Sequence, residues 1–217
     1  TEVKMMLTAF SNMETVHVAA YSHLLDTIGM PESEYSAFLE YEEMAAKVDY
    51  IHQFGVDTDE DIARTLAMFG GFSEGLQLFA SFAMLMNFPR FNKMKGMGQI
   101  VTWSVRDESL HCEGMIKLFH AYAKETNALT QSVKDDIAEC CKTVVGIEDR
   151  FIELAFEMGP VQGMVPDDIK WGALRGRIMD PKVFAQIQND IEMLDSTADF
   201  IGGMTSGVRG DLVGNIG

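Results

Sequence analysis

The sequence predicts an all-α protein. Apolar residues recur at intervals of three and four along most of the chain, and no stretch alternates apolar and polar residues as a half-buried strand does. Most proline and glycine residues fall between the helical blocks rather than inside them. With 217 residues, of which 47% are hydrophobic, the chain can form one sizeable helical core.

The first two helical blocks are bounded by glycine and proline. The first runs from about residue 3 to residue 27 and ends at Gly29 and Pro31, a pair typical of a helix terminus. The second begins behind Pro31 and continues to Gly55, with apolar residues at helical spacing. Each block is therefore predicted to be one helix.

The third block begins at a capping sequence and is predicted to continue to about residue 87. Thr58 and Asp61 have the spacing of a capping box, and acidic residues are favoured at the positive end of the helix dipole. Pro89 is predicted to stop this helix. The glycine pair at residues 70 and 71 interrupts the pattern, so we expect a kink or local unwinding there.

Two further blocks complete the helical region. They run from about residue 100 to 124 and from about residue 130 to 158. Residues 1–170 are thus predicted to form the helical domain. For residues 171–217 the sequence predicts a short amphipathic helix followed by a flexible, glycine-rich tail.

The charge balance and the cysteine content narrow the class of function. Asp and Glu total 33 against 17 Lys and Arg, a formal net charge of -16, so no basic surface is available for nucleic acid or an anionic membrane. The three cysteines are an odd number, typical of reduced thiols rather than a disulfide framework. No apolar run has the length of a membrane span. We expect a cytoplasmic protein that binds neither nucleic acid nor membrane.

A carboxylate, an imidazole and a phenol share one stripe of the first helix. Glu14 and His17 are three residues apart and Tyr21 is four further on, so all three lie on one face. The apolar residues of the stripe are Phe10, Val18 and Leu25. They predict that the stripe faces a core, where polar groups of these types need compensation. A metal site beside a redox-active tyrosine would provide it.

The Glu-x-x-His spacing recurs at Glu108 and His111, and a third acid, Glu74, lies in a strongly apolar run between the two motifs. Di-iron and di-manganese helical bundles use two Glu-x-x-His helices and two helices that give one Glu each. One single-carboxylate helix is missing here. Carboxylate oxygens with one imidazole per metal suit iron or manganese better than structural zinc.

Three stretches carry a family resemblance: Met13–His17 followed by Tyr21–Thr27, Glu74 in its phenylalanine-rich helix, and Arg106–His111. Together they resemble the radical-generating small subunit of class I ribonucleotide reductase. The resemblance covers about residues 1–170 and implies a ferritin-like helical bundle with a dinuclear metal site.

The resemblance also implies a role for each motif residue. The implied metal ligands are Glu14, His17, Glu74, Glu108 and His111. They would hold two iron ions, with manganese or a mixed manganese and iron pair as alternatives. Tyr21 would be oxidised to a stable radical after the reduced metals react with dioxygen, and Asp107 would hold the first histidine and relay the radical. The expected partners are the large subunit, which makes deoxyribonucleotides, and a second copy of this chain.

Residues close to the ligands in helical register are implied to wall the radical pocket. Leu78 and Phe82 follow Glu74 by four and eight residues, and Ser104 precedes Glu108 by four.

Both ends of the chain depart from the family pattern. The family's first ligand is an Asp roughly thirty residues, or ~45 Å of helix, before the first motif, whereas only thirteen residues precede Glu14 here. An N-terminal Trp and a C-terminal Tyr are also absent, since the last tyrosine is Tyr122. We expect a fragment, a split chain completed by a partner, or a divergent form.

Two rival interpretations remain open. Another dimetal carboxylate oxidase, or a ferroxidase, would use the same ligands without a stable radical. A metal-free interaction remnant would bind no metal. An acidic residue three positions before a histidine is also common on helix surfaces, where it binds no metal. Asp49 and His52 have this spacing and are interpreted as such a surface pair.

Overall fold

The computed structural model describes residues 1–170, so the predicted short helix and tail at 171–217 lie outside the described residues. The elements in chain order are α1 (Glu2–Ile28), α2 (Glu34–Ala37), a 3-10 turn (Phe38–Glu40), α3 (Glu42–Ile51), α4 (Asp59–Ala67), a π-helical stretch (Met68–Gln77), α5 (Phe79–Arg90), α6 (Lys95–Thr126), α7 (Gln131–Glu157) and α8 (Pro166–Ile169). No strand occurs within residues 1–170, and the all-α class is confirmed.

The end of α1 is set by Gly29, as predicted. Gly29 adopts the left-handed conformation with φ 78°, which glycine reaches without steric cost. Its N–H donates to the carbonyl of Asp26 at 3.1 Å, and the N–H of Met30 donates to the carbonyl of Leu25 at 3.0 Å. These bonds satisfy carbonyls that a helix end would leave without partners.

The prediction of one continuous second helix is wrong. The segment is divided into α2, the 3-10 turn and α3, and α3 ends at Ile51 rather than at Gly55. The hydroxyl of Tyr35 in α2 donates to the Asp26 carboxylate at 3.1 Å and to the Ser22 carbonyl at 3.3 Å. This short element is therefore tied back to α1 instead of continuing along the axis of α3.

The third block starts and unwinds where the sequence indicates. Thr58 is the N-cap of α4, and its hydroxyl oxygen accepts from the N–H of Asp61 at 3.1 Å. The expected unwinding is the π-helical stretch Met68–Gln77, hereafter the π segment. A Cβ at Gly70 would overlap the Cβ of Met115, so the glycine allows α6 to approach the segment closely.

Pro89 does not stop its helix, because α5 continues to Arg90. Pro89 lacks the N–H that would pair with the carbonyl of Leu85, and the helix ends one residue after it. Its ring packs against Gly98 of α6, which leaves the space that a side chain would fill.

Helix α6 is the centre of the fold. It packs against α1, α4, α5 and the π segment, while α7 packs against α3, α4 and the π segment from the other side. The largest fully buried apolar side chains are Phe72, Phe119, Met68, Leu76 and Ile152. Within residues 1–170 no helix combines the length and the apolar character needed to cross a bilayer.

The prediction that the α1 stripe faces a core is wrong for Val18, which is 70% exposed. No residue of α1 is fully buried, because this helix packs on the bundle mainly through α6. Tyr21 does pack against the core, and the ring of Phe10 lies 4.3 Å from that of His111. The polar residues of the stripe therefore face α6, although part of the predicted apolar lining does not.

Two glycines provide a test of the close approach between the π segment and α6. Gly70→Ala should lower the free energy of unfolding by about 1–3 kcal/mol, because the new Cβ overlaps Met115. Gly96→Ala is the control. It adds a Cβ in α6 with no atom within 4 Å, so it should raise stability by roughly 0.5–1 kcal/mol. Urea unfolding measures both, and equal stability of the two variants would contradict the packing described.

Candidate metal centre

Helices α1 and α6 bring the two Glu-x-x-His motifs face to face. Nδ1 of His17 lies 3.2 Å from the Glu108 carboxylate, and Nδ1 of His111 lies 3.0 Å from that of Glu14. The distances within each motif are longer, at 3.5 Å and 3.7 Å. Each histidine is thus closer to the acid of the other motif than to its own.

One cluster within residues 1–170 has the spacing of a metal site. Glu14, Glu108 and His111 each present a ligand atom, and these atoms all lie within 4.8 Å of one another. His17 adjoins the cluster through its contact with Glu108. Glu108 and His111 are buried in α6, whereas the Glu14 side chain is 49% exposed, so the cluster opens to solvent on the α1 side.

Glu74 reaches the same region from the π segment. Its Oε2 atom is buried and has no hydrogen-bond partner in the described part of the chain. Burial, together with the negative charge of Glu14, raises the pKa of Glu74 to about 7. A buried carboxylate oxygen without a donor is costly unless a cation compensates it.

The cluster carries more negative charge than its own groups neutralise. Burial raises the pKa of Glu108 to about 8, with further increases from the charges of Glu14 and Glu74 and an opposing effect of His17. Burial lowers the pKa of His111, which favours the neutral imidazole that can bind a metal. Three carboxylates, one of them with the orphaned Glu74 oxygen, and two imidazole Nδ1 atoms therefore fit a cationic group, and their chemistry suits iron or manganese.

The two histidines differ in their outer partners. Nε2 of His17 lies 3.3 Å from Asp107, whose carboxylate is also 3.4 Å from the Arg106 guanidinium. Nε2 of His111 instead lies 3.5 Å from the thioether of Met13. Since Nδ1 of both rings faces the carboxylates, Nε2 would carry the proton towards these partners. Sequence reasoning missed Met13, because a methionine beside a Glu-x-x-His motif gives no signal of such a contact.

Tyr21 lies next to the cluster and is hydrogen-bonded. Its hydroxyl donates to Oγ of Ser104 at 3.0 Å. Burial raises the pKa of Tyr21; the Ser104 hydrogen bond acts against this rise, and the negative charge of Glu108 adds to it. Leu78 and Phe82 belong to the core that Tyr21 packs against. Ser104, expected only as a pocket wall, is therefore the hydrogen-bond partner of the phenol.

The acidic residue and histidine with the same spacing near the end of α3, Asp49 and His52, do not belong to the cluster. Asp49 and His52 are both exposed, at and just beyond the end of α3. Cys112, next to His111 in sequence, is a buried cysteine that forms no disulfide within residues 1–170.

The fold and the cluster define a class: an all-α protein in which two facing helices each carry Glu-x-x-His and an unwound helix adds a third carboxylate, as in dimetal carboxylate bundles. The family model described as "Ribonucleotide reductase, small chain" matches residues 1–171. The chain belongs to this family, which confirms the resemblance seen in the sequence.

Individual relatives agree with this assignment. A probable ribonucleoside-diphosphate reductase small subunit of Invertebrate iridescent virus 6 is 45% identical over 175 residues, 72% of this chain and 49% of the relative. One from Invertebrate iridescent virus 3 is 38% identical over 188 residues, 78% of this chain and 50% of the relative. The beta subunit from Chlamydia pneumoniae is 25% identical over 62% of this chain and 43% of its own length. The chain spans about half the length of the curated relatives it matches.

His111→Ala should weaken iron(II) binding about tenfold or more, because it removes an imidazole from the centre of the cluster. His52→Ala is the control, because His52 is exposed and lies outside the cluster, and it should leave iron(II) binding unchanged. Anaerobic equilibrium dialysis followed by metal analysis measures both. Equal losses in the two variants would show that iron binds outside the cluster.

Glu108→Gln should stabilise the metal-free protein in a pH-dependent way. The unfolded chain releases the Glu108 proton above pH 4.5, whereas the folded protein retains it up to about pH 8, so the wild type loses stability as pH rises through this interval. Glutamine has no proton to release. The variant should match the wild type at pH 4.5 and exceed it by roughly 1–3 kcal/mol at pH 8. Urea unfolding of both proteins at pH 4.5 and pH 8 measures the difference. A variant less stable than the wild type at pH 8 would contradict the raised pKa of Glu108.

Proposed function

We propose that this chain acts in a ribonucleoside-diphosphate reductase small subunit, an oxidoreductase component that forms a tyrosyl radical for the reduction of ribonucleotides. The observation that carries the proposal is the position of Tyr21. Its phenol is half-buried and donates a hydrogen bond to Ser104 of α6. Tyr21 also lies one helical turn from His17, which contacts Glu108 of the cluster. The names of the viral relatives support the same activity.

In this proposal the ligands are Glu14, His17, Glu74, Glu108 and His111. Two iron ions are the proposed occupants, and manganese remains the alternative. When bound, they would supply the activation of dioxygen and the one-electron oxidation of tyrosine, chemistry that side chains lack. The chain's own contribution is to orient the imidazole Nδ1 atoms towards the carboxylates and to hold Glu74 close to them.

Tyr21 has to lose one electron and one proton to become a neutral radical. A tyrosine already keeps its proton at neutral pH, and burial raises the pKa of Tyr21 further, so the phenol stays protonated until oxidation occurs. The Ser104 oxygen accepts the hydrogen bond from the phenol, so it is the proposed first acceptor of that proton, provided that it gives up its own hydroxyl proton in the same step. Glu108, one turn further along α6, is the proposed recipient of that second proton.

The surroundings of Tyr21 would protect the radical. Its ring packs against the apolar core that includes Phe72 and Phe82, both buried. Exclusion of water and of exchangeable groups from this side limits reduction of the radical by solvent species.

Asp107 provides a route from the cluster to the surface. It contacts His17 on one side and the exposed Arg106 on the other. We assign to it the relay of an electron and a proton towards the large subunit, which would bind the ribonucleotide. A second copy of this chain is the other proposed partner.

Loading with iron(II) followed by dioxygen should produce a tyrosyl electron paramagnetic resonance signal in the wild type. Tyr21→Phe should abolish it, because phenylalanine has no hydroxyl to oxidise. Tyr50→Phe is the control, since Tyr50 is also half-buried but lies on α3 near Cys140. That variant should keep the full signal.

The remaining outcomes separate the rivals. A signal that persists in Tyr21→Phe would contradict the radical role of Tyr21. Oxidation of bound iron without any tyrosyl signal would favour a ferroxidase or another dimetal oxidase. Failure of the wild type to bind iron would favour a metal-free interaction module.

A further inference from the structure

A second pair of charged side chains is buried away from the metal ligands. Glu148 of α7 is 0% exposed, and its carboxylate lies 2.8 Å from Nζ of Lys47, a residue of α3. Burial raises the pKa of Glu148 to about 7 although Lys47 acts in the opposite direction, so the lysine does not fully offset the cost of burial. Such a pair contributes little net stability compared with apolar residues of similar volume.

Lys47 makes two further contacts that join three parts of the fold. Its ammonium donates to the backbone carbonyl of Gln77 at 3.4 Å and lies 4.2 Å from the centre of the Phe151 ring. An ammonium group has three N–H donors, so Lys47 can contact Glu148 and Gln77 at the same time. Lys47 thereby connects α3, α7 and the last residue of the π segment.

Gln77 occupies the position where the helical pattern changes. The π segment ends there, and the next carbonyl, that of Leu78, accepts an α-type bond from the N–H of Phe82 at 3.0 Å. Carbonyls at such a change of pairing lose their regular helical donors. Gln77 is buried, so bulk water cannot easily take the place of the Lys47 donor.

A proposed metal ligand, Glu74, lies close to the end of the π segment. Glu74 is three residues before Gln77, within one turn of the unwound helix. If α-type pairing extended into the segment, the residues before Gln77 would rotate about the helix axis. The Glu74 carboxylate would then turn away from Glu14, whose charge it now senses.

We propose that Lys47, held by Glu148, is a positioning residue that fixes the end of the π segment at Gln77 and thereby directs Glu74 towards the metal cluster. Neither residue touches the metal ligands' reactive atoms. The inference rests on the proposed function, because it concerns a ligand of the proposed metal centre.

The test replaces the pair by apolar residues of similar volume, Lys47→Met with Glu148→Leu. The metal-free double variant should unfold at about the same urea concentration as the wild type, because removal of the two buried charges offsets the loss of the donor to the Gln77 carbonyl. Hydrogen exchange of the amides from residue 74 to residue 81 should become about tenfold faster or more. Affinity for iron(II), used alone as the probe, should fall about 10- to 100-fold.

The matched control removes another ion pair of the same helix, Lys142 with Glu139, at 3.0 Å on the outer side of α7. Lys142→Met with Glu139→Leu should change neither exchange in the π segment nor iron affinity. Unchanged exchange and affinity in the Lys47 and Glu148 variant would overturn the proposal. A lower unfolding midpoint with uniformly faster exchange would assign the pair a purely structural role and would also overturn it.

Two further arms keep the result interpretable. If the double variant does not fold, Glu148→Gln keeps an acceptor for Lys47. An unchanged unfolding midpoint with about twofold weaker iron binding supports the proposal, and unchanged binding contradicts it. If the wild type itself binds no iron(II), the proposed metal centre fails, while exchange in the metal-free protein still tests whether the pair holds the π segment.

Discussion

The structure depends on the convergence of three carboxylates in the space between α1, α6 and the π segment. Negative groups this close repel one another, and burial adds the cost of lost hydration. Both effects raise the pKa values of Glu74 and Glu108 in the metal-free protein. Packing elsewhere has to offset this cost, and the bundle does so with large buried apolar side chains such as Phe72, Phe119 and Ile152. A bound cation would attract all three carboxylates, so the arrangement that destabilises the metal-free protein would favour metal binding.

The close approach of α6 and the π segment makes this convergence geometrically feasible. Gly70 removes the side chain that would separate the two elements at Met115. The π segment then points Glu74 inward from a helix whose neighbouring face supplies Phe72 and Leu76 to the core. An unwound helix costs regular hydrogen bonding, and such stretches are frequent at functional sites. The irregular pairing at this position therefore accompanies the acid that the segment directs inward, and not the packing of Phe72 and Leu76 alone.

Local spacing made much of this architecture predictable, and tertiary contacts explain the remainder. The Glu-x-x-His motifs, the Thr58 cap and the Gly29 terminus each depend on residues within one turn, so the sequence was sufficient to predict them. The exposure of Val18 depends on which helices cover α1, and periodicity along α1 carries no such information. Glu148 was missed, although Val144 and Ile152 on the same stripe of α7 mark its position as buried. Its partner, Lys47, lies on another helix that only the fold brings close.

The unequal outer partners of the two histidines give the cluster a direction. A carboxylate accepts a strong hydrogen bond from an imidazole N–H and makes the opposite nitrogen more basic, and therefore a better metal ligand. A thioether sulfur accepts only a weak hydrogen bond from the same group. In the proposed site His17, which contacts Asp107, would therefore be the stronger metal ligand, and His111, which contacts Met13, would be the weaker one. Only the His17 side continues through Asp107 to the exposed Arg106 among the contacts described. A charge relayed out of the cluster along these contacts would therefore leave from the His17 side, whereas on the His111 side the ring of Phe10 lies 4.3 Å from the imidazole ring.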